Sequence, residues 1–329
     1  MREYLVAKLA HTVIVAACVL TLVFVVLHMT GDPVMMLLPP NPSREEVEAL
    51  TRTLGLDQPL HVQYGRFVQK LLRGDFGTSL QHQQPAMRLV MERLPASMLL
   101  AVTALLLAVL LSVPLGIAAA VRRGTLVDRL AVGLAALGQS APIFWTGLML
   151  MLVFSVTLQL LRTTGYGTWR HLIMPALTLA SYPIAAMARL VRSGMLEVLD
   201  ADYVRTARAK GLRERLVVLK HALKNAAMPI VTVIGLQFGL LLGGALVCEM
   251  IFAWPGVGRL MIFAIYNRDF PLVEAAVFVM AMVFVLGNLL VDVCYACSTP
   301  ASGSAPEGVA RCRRARRQVG WPMSGCRWR

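Results

Sequence analysis

The sequence predicts an all-α integral membrane protein with six transmembrane helices and both termini on the cytoplasmic side. Composition is the first reason: 57% of the 329 residues are apolar and only 15% charged, whereas a soluble domain carries about 25% charged residues. The second is a set of six apolar runs, each close to the roughly 20 residues that a helix needs to cross a hydrocarbon core. The third is the placement of the bases between those runs. Helix is the required form, because an open strand would leave its backbone groups unpaired in lipid.

The first run, residues 9–29, follows Arg2 and Lys8 as a signal peptide would. It is too long for the apolar region of one, and no small-x-small cleavage site precedes Gly31-Asp32-Pro33, so it reads as an uncleaved helix. Residues 30–96 balance seven acids against seven bases, and Pro39-Pro40-Asn41-Pro42, Gly55 and Gly74 divide them into short amphipathic pieces such as 44–54 and 62–72. This segment should form a small cap outside the membrane. The remaining runs are 97–121, 132–160, 173–191, 230–248 and 275–294, with 173–191 the weakest. Pro142 and Pro175 should break or kink the third and fourth of the six helices, as a packing feature or as a part of a gated pathway.

Orientation comes from the bases. With the N-terminus inside, 21 of the 32 Lys and Arg residues fall on the inner side, and seven of the other 11 lie in the long 30–96 segment. The positive-inside rule loses force in such long segments, so the short loops decide for both termini inside. The net charge of +14 therefore signals topology. Nucleic acid is excluded as a partner, since no basic stripe alternates with stacking aromatics.

Function classes narrow from what the spans lack. None has an ionisable residue near its centre, which speaks against a carrier driven by protons or sodium. Gln139 and Gln237 are the deepest polar side chains, each suited to bonding a neighbouring helix or to meeting a substrate. Gly235, Gly239 and Gly243 recur every four residues in the fifth span, so that one face of the helix is bare backbone, for static close packing or for a sliding contact. There is no phosphate loop and no His-Glu-x2-His motif, and Gly138-Gln139-Ser140-Ala141-Pro142 misses a nucleophile elbow because proline takes its last place. A membrane-embedded hydrolase would need a nucleophile and base that the spans do not offer. Cys294-x2-Cys297 supplies half of a zinc site, and four of the six cysteines crowd the C-terminal end, so neither a metal centre nor a disulfide framework is indicated. No catalytic, metal or cofactor site is expected.

The most informative stretch is the loop 195–229, too polar to span and too patterned to be a linker. Asp200 and Asp202 can cap a helix start, Arg208 and Lys210 suit its end, and Gly211 follows where a left-handed stop is favoured, which predicts a short helix over about 201–210. Beyond it, Leu212, Leu216, Leu219 and Leu223 recur at helical spacing while Arg213, Arg215, Lys220 and Lys224 point elsewhere, so a second amphipathic helix should lead to Pro229. Two short helices at an angle suit docking into a soluble partner, and their basic content suits anionic lipid equally well.

The run Asp202-Tyr203-Val204-Arg205-Thr206-Ala207-Arg208-Ala209-Lys210-Gly211-Leu212, followed by His221-Ala222-Leu223-Lys224-Asn225-Ala226 and Pro229, resembles the cytoplasmic loop of ABC-importer permeases of the dipeptide/oligopeptide subfamily. Leu54-Gly55-Leu56-Asp57-Gln58-Pro59-Leu60, Gly74-Asp75-Phe76-Gly77-Thr78-Ser79-Leu80, Pro142-Ile143-Phe144-Trp145 and Phe252-Ala253-Trp254-Pro255-Gly256-Val257-Gly258-Arg259 agree with the same subfamily. The likeness runs from the first span to about Tyr295. It implies a type I ABC-importer permease fold in a bacterial inner membrane, with residues 97–297 as the permease core. It also implies a heterodimer with a sister permease, two ABC ATPase subunits inside and a substrate-binding protein outside. Ala207 and Gly211 match the second alanine and the glycine of the family's Glu-Ala-Ala-x3-Gly core, and Arg205 and Thr206 replace its leading pair, as is general in the peptide branch.

On this resemblance the helix bearing Ala207 is the lever that enters the ATPase groove. The outer loops, with Trp254 as an interfacial anchor beside Pro255, Gly256 and Gly258, receive the loaded binding protein. Peptides are the default cargo, although related permeases serve nickel, glutathione and sugars. The chain departs from the family at its end. Tyr295-Ala296-Cys297-Ser298-Thr299-Pro300 replaces a Tyr-Ala-x-Leu-Asp-Pro-Arg-like run, and the 29 residues after it hold seven arginines and no Leu, Ile or Phe. Residues 298–329 cannot build a core. They read as a basic tail on anionic lipid or, as we prefer, as out-of-frame translation beginning near Cys294–Cys297.

Overall fold

The computed structural model describes residues 43–54 and 57–298, together with 13–15, 17–19, 21–22 and 24–25. Most of the first expected span, residues 30–42 and nearly all of the basic tail lie outside the described residues. The chain divides into Met1–Val291 and Asp292–Arg329, and of the second unit only the end of one helix is described.

Among the described residues the structure is helical, with one isolated antiparallel bridge between Thr78 and Pro85. Two short helices, α1 (Arg44–Leu54) and α2 (Leu60–Leu72), match the amphipathic pieces expected in the cap. Reciprocal bonds between Ser43 and Glu46 cap α1: the Ser43 amide donates to the Glu46 carboxylate and the Glu46 amide to Ser43 Oγ. Tyr64 on α2 bonds Thr21 at 2.7 Å and stacks edge-on against Phe24, so part of the first apolar segment lies on the cap. A tight loop then turns on Gly74 (φ +71°) and Gly77 (φ +79°), and Ser79 bonds the buried Asp269 carboxylate across the fold.

The second expected span begins eleven residues earlier than its apolar run. Helix α3 covers Ala86–Val121, 36 residues, or about 54 Å at 1.5 Å per residue. The boundary placed at 96 between cap and core therefore falls within one continuous helix. Its buried face repeats a mostly small residue every fourth position: Ala96, Leu100, Ala104, Ala108, Ser112, Gly116 and Ala120. Its other side exposes Leu99, Leu106 and Leu110. In water that distribution would be inverted. Lipid is as apolar as leucine, so small residues win the interior by letting backbones approach. At Gly116 an added Cβ would lie 2.6 Å from Val191 Cβ, which shows how close α3 and its neighbour come.

That neighbour, α6 (Trp169–Leu199), is the central helix. Met174, Ala176, Leu179, Met187, Val191 and Met195 all lie in the core that it shares with α3 and with α9 (Leu223–Ile251). Its weak apolar signal has a physical reason: it is surrounded by protein more than the other spans, so its polar residues meet partners instead of lipid. Pro175 and Pro183 stay inside the helix without ending it.

The run 132–160 is not one straight helix: it is broken at Pro142, where a break or kink was expected. Helix α4 (Leu126–Ser140) stops before Pro142, and α5 (Ile143–Leu150) with a π-helical continuation (Met151–Thr157) leaves at 108°. Proline lacks the amide for the helix ladder and biases Ala141 to extended backbone, observed at ψ 126°. Asp128 near the start of α4 takes a bidentate salt bridge from Arg192 of α6, with N–O distances of 2.6 and 2.9 Å, and accepts the Gly124 amide at 2.9 Å.

After α6 come α7 (Asp202–Ala209) and α8 (Glu214–Leu216), which passes through the π-helical Val217–Ala222 into α9. A short helix α10 (Val257–Tyr266) and a final long helix α11 (Phe270–Ser298) complete the described chain. Among the described residues four helices are long and apolar enough to cross a membrane, or five if the bent pair counts as one.

Candidate functional site

The segment between α6 and α9 forms a braced elbow. Helix α7 starts at Asp202, with Ala201 as its extended N-terminal flank, and neither Asp200 nor Asp202 makes a capping bond: Asp200 ends α6, and Asp202 lies in the first turn of α7. The first-turn carboxylate still favours the positive helix end through its charge. At the other end Gly211 adopts φ +75°. Its amide donates to Arg208 O at 2.9 Å, and the Leu212 amide reaches back to Ala207 O at 3.4 Å, the pattern of a left-handed glycine stop.

Two contacts hold the elbow angle. Val204 and Ala207 are buried against Val217, with Val198 and Leu199 packed around them. Across the glycine turn Arg208 grips Glu214, Nη2 to Oε1 at 2.8 Å and Nε to Oε2 at 3.2 Å. The guanidinium holds the Glu214 carboxyl below the usual carboxylate range, chiefly by this bond. Nothing in helical spacing pointed to Glu214, because it pairs across a turn. Ala207, which matches the family core, faces this internal packing, whereas Asp202, Tyr203, Arg205, Thr206, Ala209, Lys210, Gly211 and Leu212 are exposed.

The second helix of the loop differs from its expected pattern. Val217, Val218 and Ala222 form its buried face, and Leu212, Leu216 and Leu219 are exposed. Leu212 lies before the helix starts at Glu214, and π-helical winding over Val217–Ala222 takes the residues from Val217 onward off a 3.6-residue repeat, so the leucine spacing misassigns the inner face. Of the expected stripe Leu223 alone is partly buried in the main core.

The opposite end of α9 holds a polar cluster that the sequence did not disclose. Glu249 is 1% exposed and accepts from Ser97 Oγ at 2.5 Å and from the Arg259 amide at 2.9 Å. Ser97 Oγ in turn accepts the Val257 amide at 2.8 Å. The carboxylate sits at the N-terminal end of α10, where free amides and the helix dipole favour a negative charge. The Arg259 guanidinium bonds Ala253 O at 2.7 Å and lies 5.4 Å from the Phe263 ring centre.

Trp254 belongs to this cluster, and its expected place at the membrane interface is corrected. It is 1% exposed, donates Nε1–H to Ala96 O at 2.9 Å and meets Tyr166 edge-on at 4.9 Å. Its ring closes the fold and offers no surface to a partner. Gly256 and Gly258 are also buried: a Cβ at Gly256 would run into the Glu249 carboxyl, and one at Gly258 would lie 2.8 Å from Leu246 Cα. Pro255 is partly exposed and helps to line a cavity of about 370 Å³ with Gln81, His82, Arg93 and Arg259.

The glycine series of α9 does not act as one face. A Cβ at Gly239 would lie 2.5 Å from Phe284 Cε2, and one at Gly287 of α11 would lie 2.5 Å from Phe238 Cε1, so each helix seats an aromatic ring in the other's glycine notch. Gly235 is buried, but Gly243 faces open space, and Gly244 supplies the close approach, 3.1 Å from Leu179 Cδ1. Ring-in-notch packing thus replaces the bare backbone contact expected there.

Gln237 lies at the midpoint of α9 and is 6% exposed. It lines a cavity of about 300 Å³ bounded by Ala141, Ile143, Leu179, Ser181, Tyr182 and Leu240, among others. Among the described residues no group bonds its Oε1. No cluster of three or more His, Cys, Asp or Glu suited to a metal occurs there either.

Comparison with known proteins accounts for this arrangement. Residues 112–301 match the model of the binding-protein-dependent transport system inner membrane component, and residues 1–101 match that of the N-terminal part of such membrane components. The glutathione transport system permease protein GsiC of Salmonella paratyphi A is 44% identical over 302 residues, covering 92% of this chain and 99% of the relative. Its counterpart from Escherichia coli K12 is 41% identical with the same coverage. A solved structure of the MetNI methionine ABC transporter aligns at a TM-score of 0.53 and 16% identity, over 65% of this chain and 98% of the other, a likeness of fold. The two matched regions and the full-length relatives establish that this chain belongs to the family of binding-protein-dependent inner-membrane transport components, the multi-pass permeases of bacterial ABC importers.

Proposed function

We propose that the chain forms one half of the translocation pathway of an ATP-driven importer, paired with a sister permease. Two ABC ATPase subunits drive it from the inside and a substrate-binding protein feeds it from the outside. In this reading there are six spans with both termini inside, the elbow 195–229 is cytoplasmic and the cap is external. The chain itself hydrolyses nothing. The supporting observation is the mounting of α7: Tyr203, Arg205, Thr206, Ala209, Lys210 and Leu212 are exposed on a helix whose Val204 and Ala207 are packed and whose end is clipped by Arg208 and Glu214. A helix held on one side and bare on the other transmits a push from a docked partner to α6 and α9 without bending away.

Peptide-class cargo follows from the relatives, which are named for glutathione, a tripeptide. Beside the cavity that Pro255 lines, Gly256 and Gly258 keep α10 against Glu249, so in this reading they shape the external loop and leave the docking surface to Pro255 and its neighbours. Gly239, against Phe284, and Gly244, against Leu179, hold α9 beside the pathway, and Gln237 faces it. Residues 298–329 have no part in this mechanism.

The test is uptake of radiolabelled glutathione into proteoliposomes. The chain with its sister permease, ATPases and binding protein should accumulate label only with ATP, and an ionophore should leave uptake intact while ATP is maintained. Accumulation by the chain alone, or collapse with the ionophore, would favour an ion-driven carrier.

A further inference from the structure

We infer that the cavity beside Gln237 is a cargo-contact site, where the Gln237 side-chain carbonyl accepts a hydrogen bond from an amide N–H of a peptide-like solute in transit. This rests on the importer reading above.

Three features of the cavity carry the inference. Its one deeply buried amide is unpaired: Gln237 is 94% enclosed, yet among the described residues nothing bonds its Oε1. A buried carbonyl without a donor is costly, and it persists where a ligand supplies the donor part of the time. Secondly, no residue lining the cavity is charged, and the other polar groups are the Ser181 and Tyr182 side chains. The Ser181 hydroxyl donates to Thr178 O at 2.8 Å, which leaves its oxygen open to a further donor. A lining of one carbonyl and two hydroxyls suits neutral amides and gives a metal ion or a free carboxylate no counter-charge. Weak binding is also what a pathway requires, because cargo must leave as readily as it enters.

The third feature is location. Gln237 stands halfway along α9, and Ala141 and Ile143 on the wall lie either side of the 108° bend at Pro142. Leu236 and Leu240 beside it are more than half exposed, so among the described residues no helix covers this face of α9. The cavity thus lies halfway along α9 on an open face, against the sharp break at Pro142. Any change of angle at that break alters its width.

The experiment uses the complete transporter in proteoliposomes, with its binding protein and radiolabelled glutathione as the probe. Gln237→Leu keeps the volume and removes the carbonyl, and the replacement of an unpaired buried amide by an apolar group is compatible with folding. We expect glutathione uptake to fall about fivefold to tenfold, the worth of one hydrogen bond, with binding-protein-stimulated ATP hydrolysis within about twofold of wild type. Gln237→Asn, which keeps a carbonyl, should recover a large part of the loss.

Wild-type stoichiometry of uptake to ATP in Gln237→Leu would overturn the assignment. So would a parallel loss of assembly, hydrolysis and uptake in both variants, which would make Gln237 a packing contact with the sister permease. Absence of ATP-dependent uptake in the wild type would instead overturn the importer reading, and the site with it.

Discussion

Gly211 offers the sharpest handle on the elbow. Its φ of +75° places it in the left-handed region, and no atom lies within 4 Å of the position a Cβ would take. A substitution there is therefore free of steric clash and acts on the backbone alone. Left-handed backbone costs an ordinary L-residue about 1–2 kcal/mol, and a β-branched one more because its side chain crowds the main chain. Each 1.4 kcal/mol is about a factor of ten in the population of the turn, so Gly211→Ala should lower the braced population about fivefold to thirtyfold relative to its alternatives. Gly211→Val should lower it further, and Gly211→Asn should stay close to wild type, since Asn enters this region with least penalty. On the proposed reading, with Arg208–Glu214 and the Val204–Val217 contact disengaged, motion delivered to α7 would be lost before it reaches α9. The assay compares glutathione uptake and ATP hydrolysis in the assembled transporter, with assembly checked by size-exclusion chromatography. Uptake per ATP should fall in the order Gly and Asn, Ala, Val. Normal uptake by Gly211→Val with normal assembly would refute the reasoning.

The other predictions concern the braces. Gly256→Ala drives a methyl group into the Glu249 carboxyl and should cost about 1–3 kcal/mol, read as a lower unfolding temperature in detergent. Gly239→Ala pushes against Phe284, so it should be destabilising alone and relieved by Phe284→Leu, a non-additive pair that chemical denaturation of the double-mutant cycle would register. Glu214→Gln should loosen the elbow near neutral pH, seen as faster hydrogen exchange in residues 202–216. Because Arg208 depresses the Glu214 carboxyl, its contribution is present above the ordinary carboxylate range and is lost as pH falls through the lowered value, so wild type should approach the variant only in acid.

Much of this architecture was legible in the residues, and the misreadings share a cause. Short-range signals worked: the amphipathic pieces that became α1 and α2, the left-handed stop at Gly211 and the break at Pro142 each depend on neighbours in sequence. Signals that depend on distant partners misled or were silent. Trp254 looks like an interface anchor until α3 supplies Ala96 O for its indole N–H. Glu249 at the end of an apolar run is unremarkable without Ser97, 152 positions away. Leu212, Leu216 and Leu219 keep a helical period, but Leu212 precedes the helix and the chain winds π-helically from Val217, so the three do not form its buried face. Hydropathy overran the bend in 132–160, because each arm is apolar whether or not the two form one rod. The small-residue repeat from Ala96 to Ala120 is itself local, but its period of four is hidden among large apolar neighbours.

The central claim is that the exposed side of α7 meets a motor subunit. Single cysteines introduced by Tyr203→Cys and Arg205→Cys, joined to a photoactivatable thiol reagent in the assembled transporter, test it by the identity of the crosslinked product. Tyr203 and Arg205 are exposed; their adducts should carry the ATPase subunit, and Val204→Cys, at a buried position, should not. Adducts at Tyr203 and Arg205 that contain phospholipid and no ATPase would contradict the claim.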